Sequence, residues 1–173
     1  YLEFLRDDAV AAVREGRGAV ADEKIRVLWY YVPITFDFDL STWLEESFGA
    51  VVITDMLSSF LRQDPIDTRD VDTMLLGIAR RSLETTMGRL RVHAARLTEQ
   101  FLRDYQDFRA DCVVFPSPVG CKHVWGWLSL LREVCRERGI PLCAFDLDWM
   151  DSRTRPADSI RGGLEQFFST VMG

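Results

Sequence analysis

Four short apolar runs, separated by stretches with helical spacing, constrain the fold of this chain more than any other feature. Each run is almost continuously hydrophobic, which is typical of strands buried on both faces of a sheet. Strands that alternate with helices predict a parallel sheet with helices on both faces, joined by right-handed crossovers. We therefore expect a doubly wound four-stranded α/β fold with strand order 2-1-3-4. The predicted strands start near Arg26, Ala50, Asp111 and Ile140.

The chain divides into an N-terminal part and one α/β domain. We predict an N-terminal helix and a connector over residues 1–22. Apolar residues recur there at helical spacing until Gly16 and Gly18 end the helix. Residues 23–173 contain all four predicted strands and form the α/β domain. The sequence opens without a methionine and already in a helical pattern. We therefore expect it to be a piece of a longer polypeptide.

Composition excludes several classes of protein. The net charge of −6 and the acidic isoelectric point argue against nucleic acid or an anionic membrane as the partner. No apolar run approaches the roughly 18 residues that a membrane span needs, and no signal peptide is evident. Four cysteines without a Cys-x-x-Cys pair favour reduced thiols in a cytoplasmic protein. The chain also lacks the glycine-rich patterns of nucleotide-binding loops.

Polar residues and prolines are expected to set the ends of several elements. Ser41 is a candidate cap for a short helix, and Asp67 or Thr68 for a longer one. The third strand is expected to break at Pro116 and Pro118, because proline has no N–H to donate to a sheet.

The stretch after the third strand contains the best candidate for chemistry. Gly120 permits a sharp turn, and Cys121 follows it just before a strongly amphipathic helix. A thiol between the carboxyl end of a strand and the start of a helix suits a metal ligand or a nucleophile. His123 is a possible second ligand or merely a solvated residue, and His93 is expected to be packed rather than catalytic.

The other candidates have structural explanations as well as functional ones. Cys112, Cys135 and Cys143 lie within predicted strands or on an apolar helix stripe, and we expect all three to be core residues. Asp146 and Asp148 project to one side after the fourth strand, where they either bind substrate or cap local backbone. The charged residues expected to form a solvated face are Arg153, Arg155 and Arg161.

Three motifs near the C-terminus resemble a known family. A strand ends in a loop with Cys121-Lys122, an amphipathic helix follows, and then come Gly139-Ile140-Pro141 and Asp146-Leu147-Asp148. This order resembles the C-terminal half of the 2-hydroxyacyl-CoA dehydratase and benzoyl-CoA reductase subunits, which include the 2-hydroxyglutaryl-CoA dehydratase D-component. The upstream segments 16–33 and 75–101 are also similar to that family, so the resemblance covers essentially the whole chain.

The resemblance implies an iron–sulfur enzyme when the subunit is complete. Cys121 matches one of three cysteines that hold a 4Fe–4S cluster, and the other two belong to an N-terminal domain outside this sequence. An ATP-dependent activator protein supplies one electron, which passes to an acyl-CoA thioester that is dehydrated or reduced. The partners implied are this activator and a homologous second subunit. Soft thiolate ligands suit such a cluster.

We expect Thr35, Ser117 and Asp146 to line the acyl-CoA cavity beside Cys121. The 173 residues alone should bind no cluster, be inactive and fold without iron, with Trp29, Trp127, Phe115 and Leu131 buried. Two alternatives stay open: a stand-alone small-molecule binding module with the same fold, and a partner subunit that lacks its own cluster.

Overall fold

The computed structural model of the chain describes residues 1–56, 58, 65–85 and 94–173. In these ranges it forms six helices and four strands. In chain order they are α1 (Leu2–Arg14), β1 (Ile25–Trp29), α2 (Leu40–Phe48), β2 (Ala50–Asp55), α3 (Val71–Glu84), α4 (Ala94–Asp107), β3 (Cys112–Pro118), α5 (Lys122–Arg138), β4 (Leu142–Leu147) and α6 (Ala157–Thr170). His93 lies outside the described residues.

The four strands form one parallel sheet in the order β2-β1-β3-β4. The predicted fold class and strand order are therefore confirmed, and every strand starts within two residues of its predicted position. The fourth strand runs later than predicted, to Leu147, so Asp146 lies within β4 rather than after it. The apolar run of the sequence predicts that the fourth strand ends at Phe145.

Helices α4 and α5 cover one face of the sheet and enclose what we call the first core. Leu97 and Phe101 of α4 and Trp127 and Leu131 of α5 are buried there against Phe115 of β3. Burial of large apolar side chains is the main stabilising contribution to such a layer, at roughly 1.5–3 kcal/mol for each fully buried chain. The expected burial of Trp127, Phe115 and Leu131 is confirmed.

Helices α2 and α6 cover the opposite face and enclose the second core. Leu44 of α2 and Leu164 of α6 are both fully buried against Trp29 and Val114 of the central strands. The burial of Trp29 is thus also confirmed. Side chains of neighbouring residues in β1 and β3 point alternately into the two cores, as the period of a strand requires. Helices on both faces explain why these strands are hydrophobic throughout.

The prolines of β3 do not break the strand, so that prediction is wrong. Strand β3 pairs with β4 as far as Pro118, and the amides of Val113 and Val119 donate to the carbonyls of Pro141 and Leu147 at 2.9 and 3.0 Å. Pro116 and Pro118 occupy the alternate positions, whose nitrogens face β1. The last β1–β3 pair ends at Val114, so no β1 acceptor is left unpaired by the missing N–H groups.

The helix ends show which cap predictions hold. Helix α2 begins one residue before Ser41, with Asp39 as its N-cap, and α3 is capped by Asp70, whose carboxylate accepts from the Thr73 amide at 2.8 Å. Ser41, Asp67 and Thr68 therefore cap neither helix. Apolar periodicity locates a helix but leaves its first residue uncertain by a few positions, and several candidate caps lie within that range.

Helices α1 and α3 have no buried residues in the described structure. Their large apolar side chains are exposed: Leu2 at 79%, Val13 at 80% and Leu83 at 72%. None of the helices that the structure describes is long and apolar enough to cross a membrane.

Candidate functional site

The strand order places the topological switch point of the sheet between β1 and β3. The chain leaves β1 toward β2 on one side, then crosses back over β1 to enter β3 on the other side. Ligands of open parallel sheets bind at the point where the strand order reverses in this way. The loops that follow β1 and β3 flank this position, and they contain Tyr31, Thr35 and Cys121.

Cys121 is the residue immediately before helix α5. Its backbone is extended, its amide donates to the Pro118 carbonyl at 3.1 Å, and its carbonyl accepts from the Trp125 amide at 3.2 Å. These bonds fix the residue between loop and helix. Its side chain caps no backbone group of α5 and is only partly buried against the first core. The thiol therefore lies at the positive end of the helix dipole, at the sheet edge where ligands bind.

The other three cysteines are core residues. Burial raises the pKa of both Cys112 and Cys135 to about 12, and the charge of Asp111 adds to the effect at Cys112. Burial also raises the pKa of Cys143 to about 11, although Arg155 opposes it. Cys112 and Cys135 are buried and Cys143 packs against the second core. All three remain protonated thiols at neutral pH, which is unfavourable for metal binding.

Tyr31 is a neighbour of Cys121 that sequence reasoning missed. Its side chain is only 8% exposed, and its ring centroid lies 4.9 Å from that of Trp149 and 5.8 Å from that of Phe115. Burial, followed by the charge of Cys121 and a hydrogen bond with its side chain, raises the pKa of Tyr31 to about 12. The one signal in the sequence was an aromatic residue just beyond the end of the first strand.

Ser117 is fully buried near the end of β3. It follows Phe115 on the face that carries the first core, and it pairs in register with Asp146. Its hydroxyl oxygen has no hydrogen-bond partner among the described residues. Buried hydroxyls without a partner are rare because the lost hydration costs free energy. The position therefore suits a bound ligand or water that completes the hydrogen bond.

Thr35 and Asp146 occupy two separate parts of the same edge. The Thr35 hydroxyl donates to the Trp149 carbonyl at 2.6 Å and lies 3.1 Å from the Met150 sulfur. It therefore fastens the loop after β1 to the loop after β4. Asp146 is exposed on edge strand β4, with its carboxylate 3.6 Å from the Arg155 guanidinium. Both residues lie at the predicted edge, but each already has a protein partner.

Asp148 caps the loop that follows β4. Its carboxylate accepts from the amides of Met150 and Asp151 at 2.9 and 3.1 Å, while its own amide donates to the Thr154 hydroxyl at 2.9 Å. Of the two interpretations of this aspartate, the structure supports the structural one.

A cavity of about 230 Å³ opens on the other face of the sheet, between α2 and the carboxyl ends of β1 and β2. Asp37 lines it, and Arg161 of α6 donates to this carboxylate through two bonds of 2.9 and 2.6 Å. The guanidinium also lies 5.3 Å from the ring centroid of Trp43. Arg161 is thus held in a half-buried ion pair, and the prediction that it is simply solvated is wrong.

The described residues do not form a complete metal site. In the ranges that the structure covers, no three histidine, cysteine, aspartate or glutamate side chains come close enough to hold a metal ion. His123 is exposed in the first turn of α5. A partly exposed thiol is a suitable iron ligand by its chemistry. Among the described residues, Cys121 therefore has no partner ligands with which to complete a metal site.

Comparison with known families places the chain. The model of the family described as 2-hydroxyglutaryl-CoA dehydratase, D-component, matches residues 1–170. A search of curated proteins finds no match. The family match covers nearly the whole chain and agrees with the resemblance that the Cys121, Gly139 and Asp146 motifs indicate. The chain belongs to the 2-hydroxyglutaryl-CoA dehydratase D-component family.

Proposed function

We propose that this chain is the C-terminal part of a 2-hydroxyacyl-CoA dehydratase subunit in which Cys121 is one of three thiolate ligands of a 4Fe–4S cluster. The observation that carries the proposal is the position of Cys121. Its partly exposed thiol lies at the carboxyl edge of the sheet, beside the switch point between β1 and β3, whereas the other thiols are held in the cores with raised pKa values.

The residues around Cys121 would each have a distinct role. The cluster, when bound, supplies one-electron chemistry to an acyl-CoA thioester. Ser117 would donate its free hydroxyl to a ligand oxygen, since it has no partner among the described residues. Thr35 would hold the loop after β1 in place through its bond to the Trp149 carbonyl. Asp146, paired with Arg155, would lie at the outer wall of the acyl-CoA cavity.

The same proposal includes partners and a compartment. Membership of a dehydratase component family supports a subunit that works with other subunits. We propose a homologous second subunit and an ATP-dependent activator protein, in the cytoplasm, where the four free cysteines would stay reduced.

The test is the iron content of the full-length subunit, purified without oxygen together with its partner subunit. Cys121→Ser should abolish or strongly reduce iron incorporation and the associated spectra while leaving folding nearly intact, because the thiol is only partly buried. The matched control is Cys135→Ser. It places a hydroxyl in the first core and should cost about 1–3 kcal/mol of stability, with unchanged cluster spectra.

Two outcomes would contradict the proposal. A Cys121→Ser protein with wild-type iron content and dehydratase activity would show that Cys121 is not a ligand. A wild-type subunit that takes up no iron would favour the alternative of a partner subunit without a cluster. Binding of a small molecule by such an iron-free protein at the switch point between β1 and β3 would favour a binding module.

A further inference from the structure

Tyr31 and Cys121 approach the same point from two neighbouring strands. Tyr31 lies two residues beyond the end of β1, and Cys121 lies three residues beyond the end of β3. The two strands are adjacent and parallel, so their carboxyl ends open on the same side. Both side chains pack on the first core, Tyr31 as a buried member and Cys121 at its margin. The two side chains therefore lie at the same corner of the first core, and the Cys121 side chain is among the groups that act on the Tyr31 phenol.

The ring of Tyr31 is held on several sides. Its amide donates to the Trp29 carbonyl at 3.0 Å, which turns the chain sharply after β1. Its ring packs between those of Phe115 and Trp149, at centroid distances of 5.8 and 4.9 Å. A side chain held in this way has lost its rotamer freedom already in the folded protein. Its hydroxyl can hold a hydrogen bond without a further entropic cost.

We propose that Tyr31 is a positioning residue for Cys121: its hydroxyl donates a hydrogen bond to the ligand sulfur and raises the reduction potential of the site. This inference rests on the proposed function, since it takes Cys121 as a cluster ligand. Hydrogen bonds to ligand sulfurs are one of the ways in which a protein sets the potential of an iron–sulfur centre. Reduction adds negative charge, part of which lies on the sulfur, so a donor at that atom stabilises the reduced form more than the oxidised form.

The test is Tyr31→Phe in the full-length subunit with its partner. This change removes one oxygen and leaves the ring that packs against Phe115 and Trp149. We expect iron content equal to wild type and a reduction potential lower than wild type, measured by a redox titration followed by electron paramagnetic resonance. The iron–sulfur stretching frequency in resonance Raman spectra should rise, because the ligand bond strengthens when the sulfur loses its donor.

The matched control is Tyr105→Phe. Tyr105 also donates through its hydroxyl, to the Asp111 carbonyl at 3.1 Å, but this bond lies at the amino end of β3, on the far edge of the sheet from Cys121. It should lower stability without changing the potential or the Raman frequency.

Three results separate the possible failures. Wild-type potential and Raman frequency in Tyr31→Phe, with full iron content, would overturn the role of Tyr31 and leave the cluster assignment standing. Full iron content in Cys121→Ser would instead overturn the proposed function. If Tyr31→Phe loses its iron, a protein with 3-fluorotyrosine at position 31 tests the role of the hydroxyl instead. This side chain keeps the ring and is a stronger hydrogen-bond donor. A potential above wild type would support the role, and an unchanged potential would overturn it.

Discussion

Single polar atoms distinguish the candidate functional site of this protein more clearly than clusters of charge do. Within the described residues, the Ser117 hydroxyl and the indole nitrogens of Trp127 and Trp149 are buried without a hydrogen-bond partner. All three residues contribute to or pack against the face of the sheet that leads to Cys121. A buried polar atom without a partner costs about 1–3 kcal/mol. An ordered water, an ion or a ligand typically completes such a bond.

Ser117→Ala should separate stability from function. Removing an unpaired buried hydroxyl relieves its desolvation cost, so the free energy of unfolding of the 173-residue chain should stay unchanged or rise by up to about 1 kcal/mol. In the full-length subunit the same change should weaken substrate use. Urea unfolding and steady-state kinetics measure the two effects.

Thr35→Val is the matched control for this prediction. Its hydroxyl does have a partner, the Trp149 carbonyl at 2.6 Å, so its loss should lower the free energy of unfolding by about 1 kcal/mol. A Ser117→Ala chain destabilised as much as Thr35→Val would show that the Ser117 hydroxyl is paired in solution.

At the scale of helices and strands, two glycines end helices in the same conformation but in different surroundings. Gly49 after α2 and Gly139 after α5 both adopt left-handed φ angles, of 63° and 66°. A β-carbon at Gly139 would meet no atom within 4 Å, whereas one at Gly49 would collide with the Asp22 carbonyl and touch Lys24. The Gly49 carbonyl also accepts from the amides of Lys24 and Ile25, at 2.9 and 3.1 Å.

The pair gives a prediction with its own control. Gly139→Ala should cost about 1–2 kcal/mol for the left-handed conformation alone. Gly49→Ala carries the same conformational cost and a further ~1–3 kcal/mol for displacing backbone, and it disturbs the start of β1. Equal destabilisation of the two variants in thermal or urea unfolding would contradict the close approach at Gly49.

Sequence reasoning located the strands and helices because these depend on periodicity. It singled out Cys121 by its position relative to a strand end, and the role of that residue stays a prediction. It missed Tyr31 and the Asp37–Arg161 pair. Asp37 and Arg161 are 124 positions apart in the chain, and no local pattern connects them. The predicted strand break at Pro116 was also wrong. A strand tolerates a proline where no neighbouring strand needs its N–H, and the sequence does not show where β1 ends.

On the scale of the whole molecule, each face of the sheet has its own core, and both cores contain neutral cysteine thiols. Cys112 belongs to the second core and Cys135 to the first. That the chain folds without iron stays a prediction.

The buried thiols predict loss of stability at alkaline pH. The pKa of Cys112 and of Cys135 is about 12 in the folded chain, against an ordinary value of 9.0. Between these values the unfolded chain has lost protons that the folded chain keeps, so the free energy of unfolding falls as pH rises. Each thiol contributes at most about 1.4 kcal/mol per pH unit. Cys135→Ala should flatten this slope in urea unfolding between about pH 9 and 11.

The control for this slope is Val124→Ala, which removes apolar volume from the same core without a titrating group. It should lower the free energy of unfolding at every pH and leave the slope as in wild type. A Cys135→Ala chain with the wild-type slope would show that this thiol ionises as easily in the folded chain as in the unfolded one.

The prolines of β3 also determine what can approach the sheet at its functional edge. Strand β1 ends opposite Val114, so the last residues of β3 pair with β4 alone, although they are buried. A strand paired on one side only normally offers N–H donors on which another extended segment can assemble, and so invites aggregation. Pro116 and Pro118 have no such donors on the side of β1. An extended peptide segment therefore finds no N–H donors at Pro116 and Pro118 with which to continue the sheet on that side.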